Sequence, residues 1–337
     1  VTTAGTITDT LPSPGPYRLH RRRTTTTALS CLGILLASAL LPGPMTHTAH
    51  AATAPRALLE QNFPDPDVLR TGSAYHAFAT SGSAGRVPVA VAEDPDGPWR
   101  VTGDALAADP SWVDPAGGYW APDVTRRADG SFLMYYSAVS TRDGHRCIGT
   151  AVAGSVTGPY QPTGDGPLIC DPGDGGDIDP QTFQGRDGTR YLLYKGEHPG
   201  GGPSAIFVQK MTQDGGATTG PRTEILRADR PEENGVVEAP VIVQRGGRFV
   251  LFYSADDFRN ATYHTRYATA NSLTGPYTKA DQPLLTTDSI GHAAEGPGGA
   301  DVVDGRIYFH GWLNGQRSER GLFDLDLEFV RGVPQVS

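Results

Sequence analysis

The chain carries six Asp-Pro pairs, at Asp65, Asp94, Asp109, Asp114, Asp171 and Asp179. Aspartate caps turns and proline fixes φ, so most such pairs are expected to be structural. Two of them are set apart by phase. A proline recurs at Pro66, Pro122, Pro180, Pro240 and Pro297, at intervals of 56, 58, 60 and 57 residues, and Asp65 and Asp179 immediately precede it. Glu238 and Glu295 stand one residue earlier in their own repeats, as Trp120 does in the second. Carboxyl groups gathered at one place can hydrolyse a sugar bond. One must be protonated to supply the leaving oxygen with a proton, and another ionised to activate water or attack directly. Burial or a third carboxylate keeps the acid protonated near neutrality. Trp120 then has two readings, a platform that stacks on a sugar ring or a hydrophobic plug between structural units.

Residues this far apart converge only if the fold repeats, and the sequence around each phased proline does repeat. "PDPDVLR", "WAPDVTRR", "IDPQTFQ", "EAPVIVQ" and "EGPGGADVV" are followed by a turn and a strand-like run: "GSAYHAFATS", "DGSFLMYYSA", "DGTRYLLYKG", "GGRFVLFYSA" and "DGRIYFHGW". A third segment, "EDPDGPW", "GSVTGPY", "GATTGPR" and "NSLTGPY", closes four of the units. Alternating Tyr, Phe and Val punctuated by Gly, Pro and Asp is a strand-turn-strand vocabulary, with hardly a helical period in it. A unit of this length is close to a propeller blade of roughly 40–55 residues. The expected fold is therefore all-β, a five-bladed β-propeller forming one catalytic domain over residues 52–337. Radial symmetry would bring the phased residues to one end of a central channel.

Residues 1–51 read as an N-terminal extension and secretory signal peptide. "RRR" at Arg21 to Arg23 precedes the apolar run 28–41, and a small-x-small "AHA" ends at Ala51. Such a short run does not span a bilayer, so a secreted, extracellular protein is expected. Of 28 basic and 37 acidic residues, four Arg and one Asp lie in that segment, which leaves a formal charge of −12 on the remainder. That field disfavours nucleic acid and anionic membranes as partners and fits a neutral substrate. A monomer is expected. Cys31 lies in the signal; Cys147 and Cys170 remain, either bridged, as an oxidising compartment favours, or buried as free thiols.

Taken in order, "FPDPDVLR", "YWAPDV", "GGDIDPQTF", "VVEAPVIVQRGGRFVLFYSA", "GPGGADVV" and "YFHGW" make the chain resemble glycoside hydrolase family 43. These are five-bladed arabinanases, arabinofuranosidases and xylosidases. The resemblance implies that Asp65 is the general base, Glu238 the general acid, and Asp179 the aspartate that raises the acid's pKa and orients it. It further implies inversion, a disulfide between Cys147 and Cys170, and a substrate among arabinose- or xylose-containing plant cell-wall polysaccharides. α-L-Arabinofuranosyl linkages come first and β-xylosides second. No cofactor is implied as required. Many relatives carry "GPGH" in the fifth unit, where the His helps to hold a channel cation; here that position is Gly299. His292 and His310 lie nearby but out of place and read as structural. A channel Ca²⁺ is compatible with the resemblance and is assigned to no residue, so no metal ligand is named. Symmetry alone does not choose between Glu238 and Glu295 as the acid. The two glycines after Pro297 suggest tight backbone approach there rather than a held side chain.

Two other readings stand beside this one. A fructan hydrolase on a related five-bladed scaffold would show Arg-Asp-Pro and Glu-Cys, where this chain has "IDP" and "VEAP". A non-catalytic carbohydrate-binding propeller would be expected to have lost one of the three carboxylates, and all are present.

Overall fold

The alternating apolar runs form strands, and the computed structural model, which describes residues 54–337, groups them into five antiparallel sheets. The signal-peptide reading of residues 1–51 lies outside the described residues. Blade one holds Asp67–Thr71, Ala74–Phe78, Pro88–Ala92 and Arg100–Asp104. Blade two holds Tyr119–Arg126, Phe132–Val139, Arg146–Ala153 and Gln161–Thr163. Blade three holds Asp177–Gln184, Arg190–Gly196, Ala205–Lys210 and Thr223–Arg227. Blade four holds Val237–Arg245, Arg248–Ala255, His264–Ala270 and Thr278–Lys279. In blade five, Glu295–Val303, Arg306–Trp312 and Arg320–Val330 are completed by Ala57–Leu59, which pairs with the last of them. This is the expected five-bladed β-propeller, with one refinement: the fifth blade borrows its outer strand from the start of the described chain. That is why the third recurring segment is missing from the fifth unit.

The core lies between blades. Successive side chains of a strand point to opposite faces, and the second strand of each blade uses both. In blade two, Met134 and Tyr136 pack with Phe78 and Val89 of blade one, while Leu133 and Tyr135 pack with Leu192 and Tyr194 of blade three. Leu193 and Val208 then meet Ile242 and Leu251 of blade four, and Val250 and Phe252 meet Ile307 and Phe309 of blade five. Tyr308 and Leu322 close the circle against Val68 and Tyr75 of blade one.

Buried aspartates stitch the innermost strands. Asp301 Oδ2 accepts the Val68 N–H at 2.8 Å, Asp67 Oδ2 accepts that of Val124 at 2.9 Å, and Asp123 Oδ1 accepts that of Thr182 at 3.0 Å. Blades five, one, two and three are thereby tied in sequence around the channel. Burial pushes all three carboxyls up, Asp123 to about 7 and Asp301 to about 6, and repulsion from Asp301 adds to it at Asp67 and Asp123.

Cys147 and Cys170 are bonded to each other. The bridge joins the third strand of blade two to the segment that leads, through a turn at Pro172–Asp174, into the inner strand carrying Asp179.

Candidate active site

The phased proline marks a backbone device. The residue before it has positive φ in every blade: Asp65 at 53°, Ala121 at 41°, Asp179 at 55°, Ala239 at 48° and Gly296 at 61°. For the four non-glycine residues this left-handed conformation costs on the order of 1 kcal/mol or more each. In blades two to five the ladder register slips at this point, between Trp120 and Asp123, Ile178 and Gln181, Glu238 and Val241, and Glu295 and Gly298. Proline is tolerated at such a bulge because its missing N–H leaves no ladder bond unmade. The bulge turns the phased residues inward, and Asp65, Ala121, Asp179, Ala239 and Gly299 line one channel mouth together with the first four phased prolines.

A second ring holds the first. At or just after the end of each second strand stands a polar residue that reaches across to the phased segment of the next blade. Thr80 Oγ1 accepts the Ala121 N–H at 2.9 Å, Ser137 Oγ that of Asp179 at 3.1 Å, and Ser254 Oγ that of Gly299 at 2.9 Å. The remaining two places face carboxylate-bearing segments and are not hydroxyls. Lys195 Nζ donates to Glu238 Oε2 at 2.8 Å, and His310 Nδ1 lies 3.0 Å from the Asp65 backbone N and 3.2 Å from Asp65 Oδ1.

The carboxylates therefore sit in different environments. Burial alone would raise the Asp65 carboxyl, but the Arg320 guanidinium at 3.2 Å, His310 and the Thr80 hydroxyl at 2.6 Å outweigh it and hold it well below the usual carboxylate range. Asp65 is ionised. Asp179 is pushed up to about 8 by burial and by the charge of Glu238, against the opposing pull of Lys195. Its Oδ2 accepts the Ala239 N–H at 2.9 Å, which docks it beside the backbone of Glu238. Glu238 also accepts the Tyr263 hydroxyl on Oε1 at 2.7 Å. Glu295 does not join this group, since its Oε2 accepts from Arg317 Nε at 2.8 Å.

Trp120 is partly exposed and belongs to none of the buried clusters, so the plug reading does not describe it. One face of its indole carries the Arg146 guanidinium, 3.1 Å from the ring centre. Arg146 donates to Gly117 O at 2.6 Å, and burial lowers it to about 10 despite the charges of Glu197 and Asp179.

The glycines after Pro297 behave as the sequence suggests. A Cβ on Gly298 would stand 2.1 Å from the Tyr263 ring, and one on Gly299 would stand 2.5 Å from His310 Nδ1. Tyr263 and His310 lie parallel, 5.9 Å apart, in the space these glycines leave. This bears on the channel cation. The position where the resemblance places a His ligand is filled by the ring of His310, whose nitrogens face Asp65 and Arg320 (3.3 Å from Nε2). Burial lowers the proton affinity of that ring, and both its nitrogens are engaged, Nδ1 by the Asp65 backbone N–H and Nε2 by Arg320. The residues present do not form a His-held cation site.

Lys195, His310, Arg320, Tyr263 and Arg146 were not legible as site residues. For Lys195 the signal exists: "ATS", "YSA", "YKG" and "YSA" are one slot of the repeat, occupied by Thr80, Ser137, Lys195 and Ser254, whereas His310 stands two residues earlier in its own unit. Arg320, Tyr263 and Arg146 come from positions without such a phase.

Residues 54–313 match the family described as glycosyl hydrolases family 43. The chain is 29% identical over 258 residues to the extracellular endo-alpha-(1->5)-L-arabinanase 1 of Bacillus subtilis (strain 168), covering 72% of this chain and 77% of that protein. It is 30% identical over 200 residues to the beta-D-galactofuranosidase xynD of Aspergillus niger, over 56% of this chain and 54% of the relative. Among solved structures it resembles a thermostable family-43 glycoside hydrolase, with a TM-score of 0.72 and 26% identity over 82% of this chain and 93% of the other.

Proposed function

The chain belongs to glycosyl hydrolase family 43, and from that premise we propose that it is a secreted, inverting hydrolase of α-L-arabinofuranosyl linkages in plant arabinan. The observation that carries this reading is the divergence of Asp65 and Asp179. One carboxyl at the mouth is held ionised while another is pushed up to about 8. That is the division of labour which two-carboxylate hydrolysis requires.

Asp65 is the general base. Ionised and fixed by Thr80 and Arg320, it takes a proton from the attacking water. Glu238 is the general acid, giving its proton to the leaving oxygen. Asp179, pushed up by burial and by the charge of Glu238, holds a proton beside the acid near neutrality. Trp120, backed by Arg146, offers the sugar a stacking surface. No cofactor is required in this scheme, because each proton starts and ends on a side chain, water or substrate.

The arabinan assignment is supported by the Bacillus subtilis arabinanase, and secretion by the word extracellular in its name. Among the described residues no helix is long and apolar enough to cross a membrane. The net negative charge supports a neutral polysaccharide partner rather than nucleic acid or a membrane surface, and the enzyme is proposed to act as a monomer. Assays on aryl α-L-arabinofuranoside, aryl β-D-xyloside, debranched arabinan and xylan test the reading together. Arabinan cleavage with xylan untouched is expected. Xylan cleavage alone would move the enzyme to the xylosyl branch, and inactivity on all four would remove the catalytic reading.

A further inference from the structure

In three blades the second ring carries a hydroxyl, and each hydroxyl holds a backbone N–H of the next blade. In blade three the slot holds Lys195, whose ammonium grips a side chain instead. Nζ lies 2.8 Å from Glu238 Oε2 and also 2.8 Å from Glu197 Oε2. The lysine side chain is 5% exposed, whereas that of Glu197 is 28% exposed on the far side of it. An ammonium this deep is strongly unfavourable unless anions face it. A serine would fill the slot without that cost, so the fold alone does not call for a lysine here.

We propose that Lys195, shared between Glu238 and Glu197, is a positioning residue that aims the acid and sets the pH at which it surrenders its proton, with Glu197 governing how much of the ammonium Glu238 receives. The inference rests on the assignment of Glu238 as the acid. Tyr263 holds the other oxygen of Glu238, so the carboxyl is fixed at both ends. The other charged or titratable groups facing this pair are Asp179, Asp65, Arg146 and His310. None of them touches Lys195 within salt-bridge distance, and the Lys195 contacts are the two carboxylates named.

Two substitutions must then act in opposite directions. Lys195→Met removes the positive charge beside Glu238, so the proton stays in the Asp179–Glu238 pair to higher pH. Glu197→Gln leaves the ammonium wholly to Glu238, so the proton departs at lower pH. The alkaline limb of kcat/KM against pH on debranched arabinan should rise by about one unit or more in Lys195→Met and fall in Glu197→Gln. Lys195→Arg keeps the charge and should leave the limb near its original place while restoring part of kcat. Limbs that stay put, or that move the same way in both variants, would overturn the proposal. Circular dichroism checks folding; if Lys195→Met does not fold, Glu197→Gln decides alone, and a fixed or rising limb defeats the idea. Carbon-13 NMR of the Glu238 carboxyl reads the same shifts without turnover. An inactive wild type would thus defeat the functional reading while this one was still decided.

Discussion

The backbone N–H of Ala239 donates to Asp179 Oδ2 at 2.9 Å, and Glu238 is the residue just before it. Asp179 is thus bonded to the chain segment that carries Glu238, the proposed acid, not only placed near its charge. Asp179→Asn retains an oxygen to accept that bond and loses the shared proton. The variant is expected to keep its melting temperature within a few degrees while kcat on arabinan falls about a hundredfold or more. A comparable loss in KM instead of kcat would point to substrate binding.

Glu238 and Glu295 occupy equivalent places before a phased proline, but Arg317 engages Glu295 and Lys195 engages Glu238. Glu238→Gln is expected to abolish hydrolysis of arabinan, whose leaving alcohol needs a proton, and to keep more activity on glycosides of acidic phenols. Glu295→Gln is expected to lose far less and to show no dependence on the leaving group. The reverse pattern would transfer the acid role to Glu295.

A base acting through water leaves about 6.5–9.5 Å between the two carboxyl groups and inverts the anomeric centre. Proton NMR in the first minutes of reaction should show a product of configuration opposite to the substrate. Retention would make Asp65 a nucleophile.

Asp123 and Asp301 are pushed up to about 7 and about 6, above their unfolded values, so the folded chain binds their protons more tightly. Stability from this source is full below about pH 4 and is lost as pH rises toward 7. Asp65 acts with the opposite sign, since its lowered value costs stability as the solution is acidified. The melting temperature is therefore expected to peak in mildly acidic buffer and decline toward pH 8. Asp123→Asn should flatten the decline; an unchanged slope would show that these carboxyls do not govern it.

The Cys147–Cys170 bridge closes a loop with a sequence separation of 23 residues. In the chain-entropy account such a loop contributes about 3 kcal/mol. Cys147→Ser with Cys170→Ser is expected to lower the melting temperature by several degrees without moving the pH optimum. Two alkylatable thiols in the untreated protein would remove the premise.

The blade count was legible because every blade repeats the same proline. In every blade the residue before that proline turns to positive φ, and in blades two to five the ladder of the first two strands slips register there. Asp65 and Asp179 could be picked from six Asp-Pro pairs for the same reason, as could the tight approach at Gly298 and Gly299. His310 was misread as merely structural because its register is displaced by a second slip between Gly298 and Asp301. Arg320 was invisible because it enters from a third strand, where the repeat carries no shared residue. Arg146 was missed because it starts the third strand of blade two, a position the repeat does not share, and reaches Trp120 from beside the turn at Gly117. Periodicity reports what every blade shares; a site depends also on where one blade differs from its siblings.

Ala57–Leu59 pairs with Arg320–Val330, so the earliest described strand meets one of the last. During synthesis the first strand must wait, unpaired, while almost the whole chain emerges. Each earlier blade can complete its own four strands, but the circle has no seam to close until the final hairpins arrive. Loop-closure cost grows slowly with length, so the delay weighs on timing far more than on final stability. Closing the ring is what brings His310 and Arg320 of blade five up against Asp65 of blade one. Asp65 has these partners only in the closed ring, so an unfinished ring is also an unfinished site.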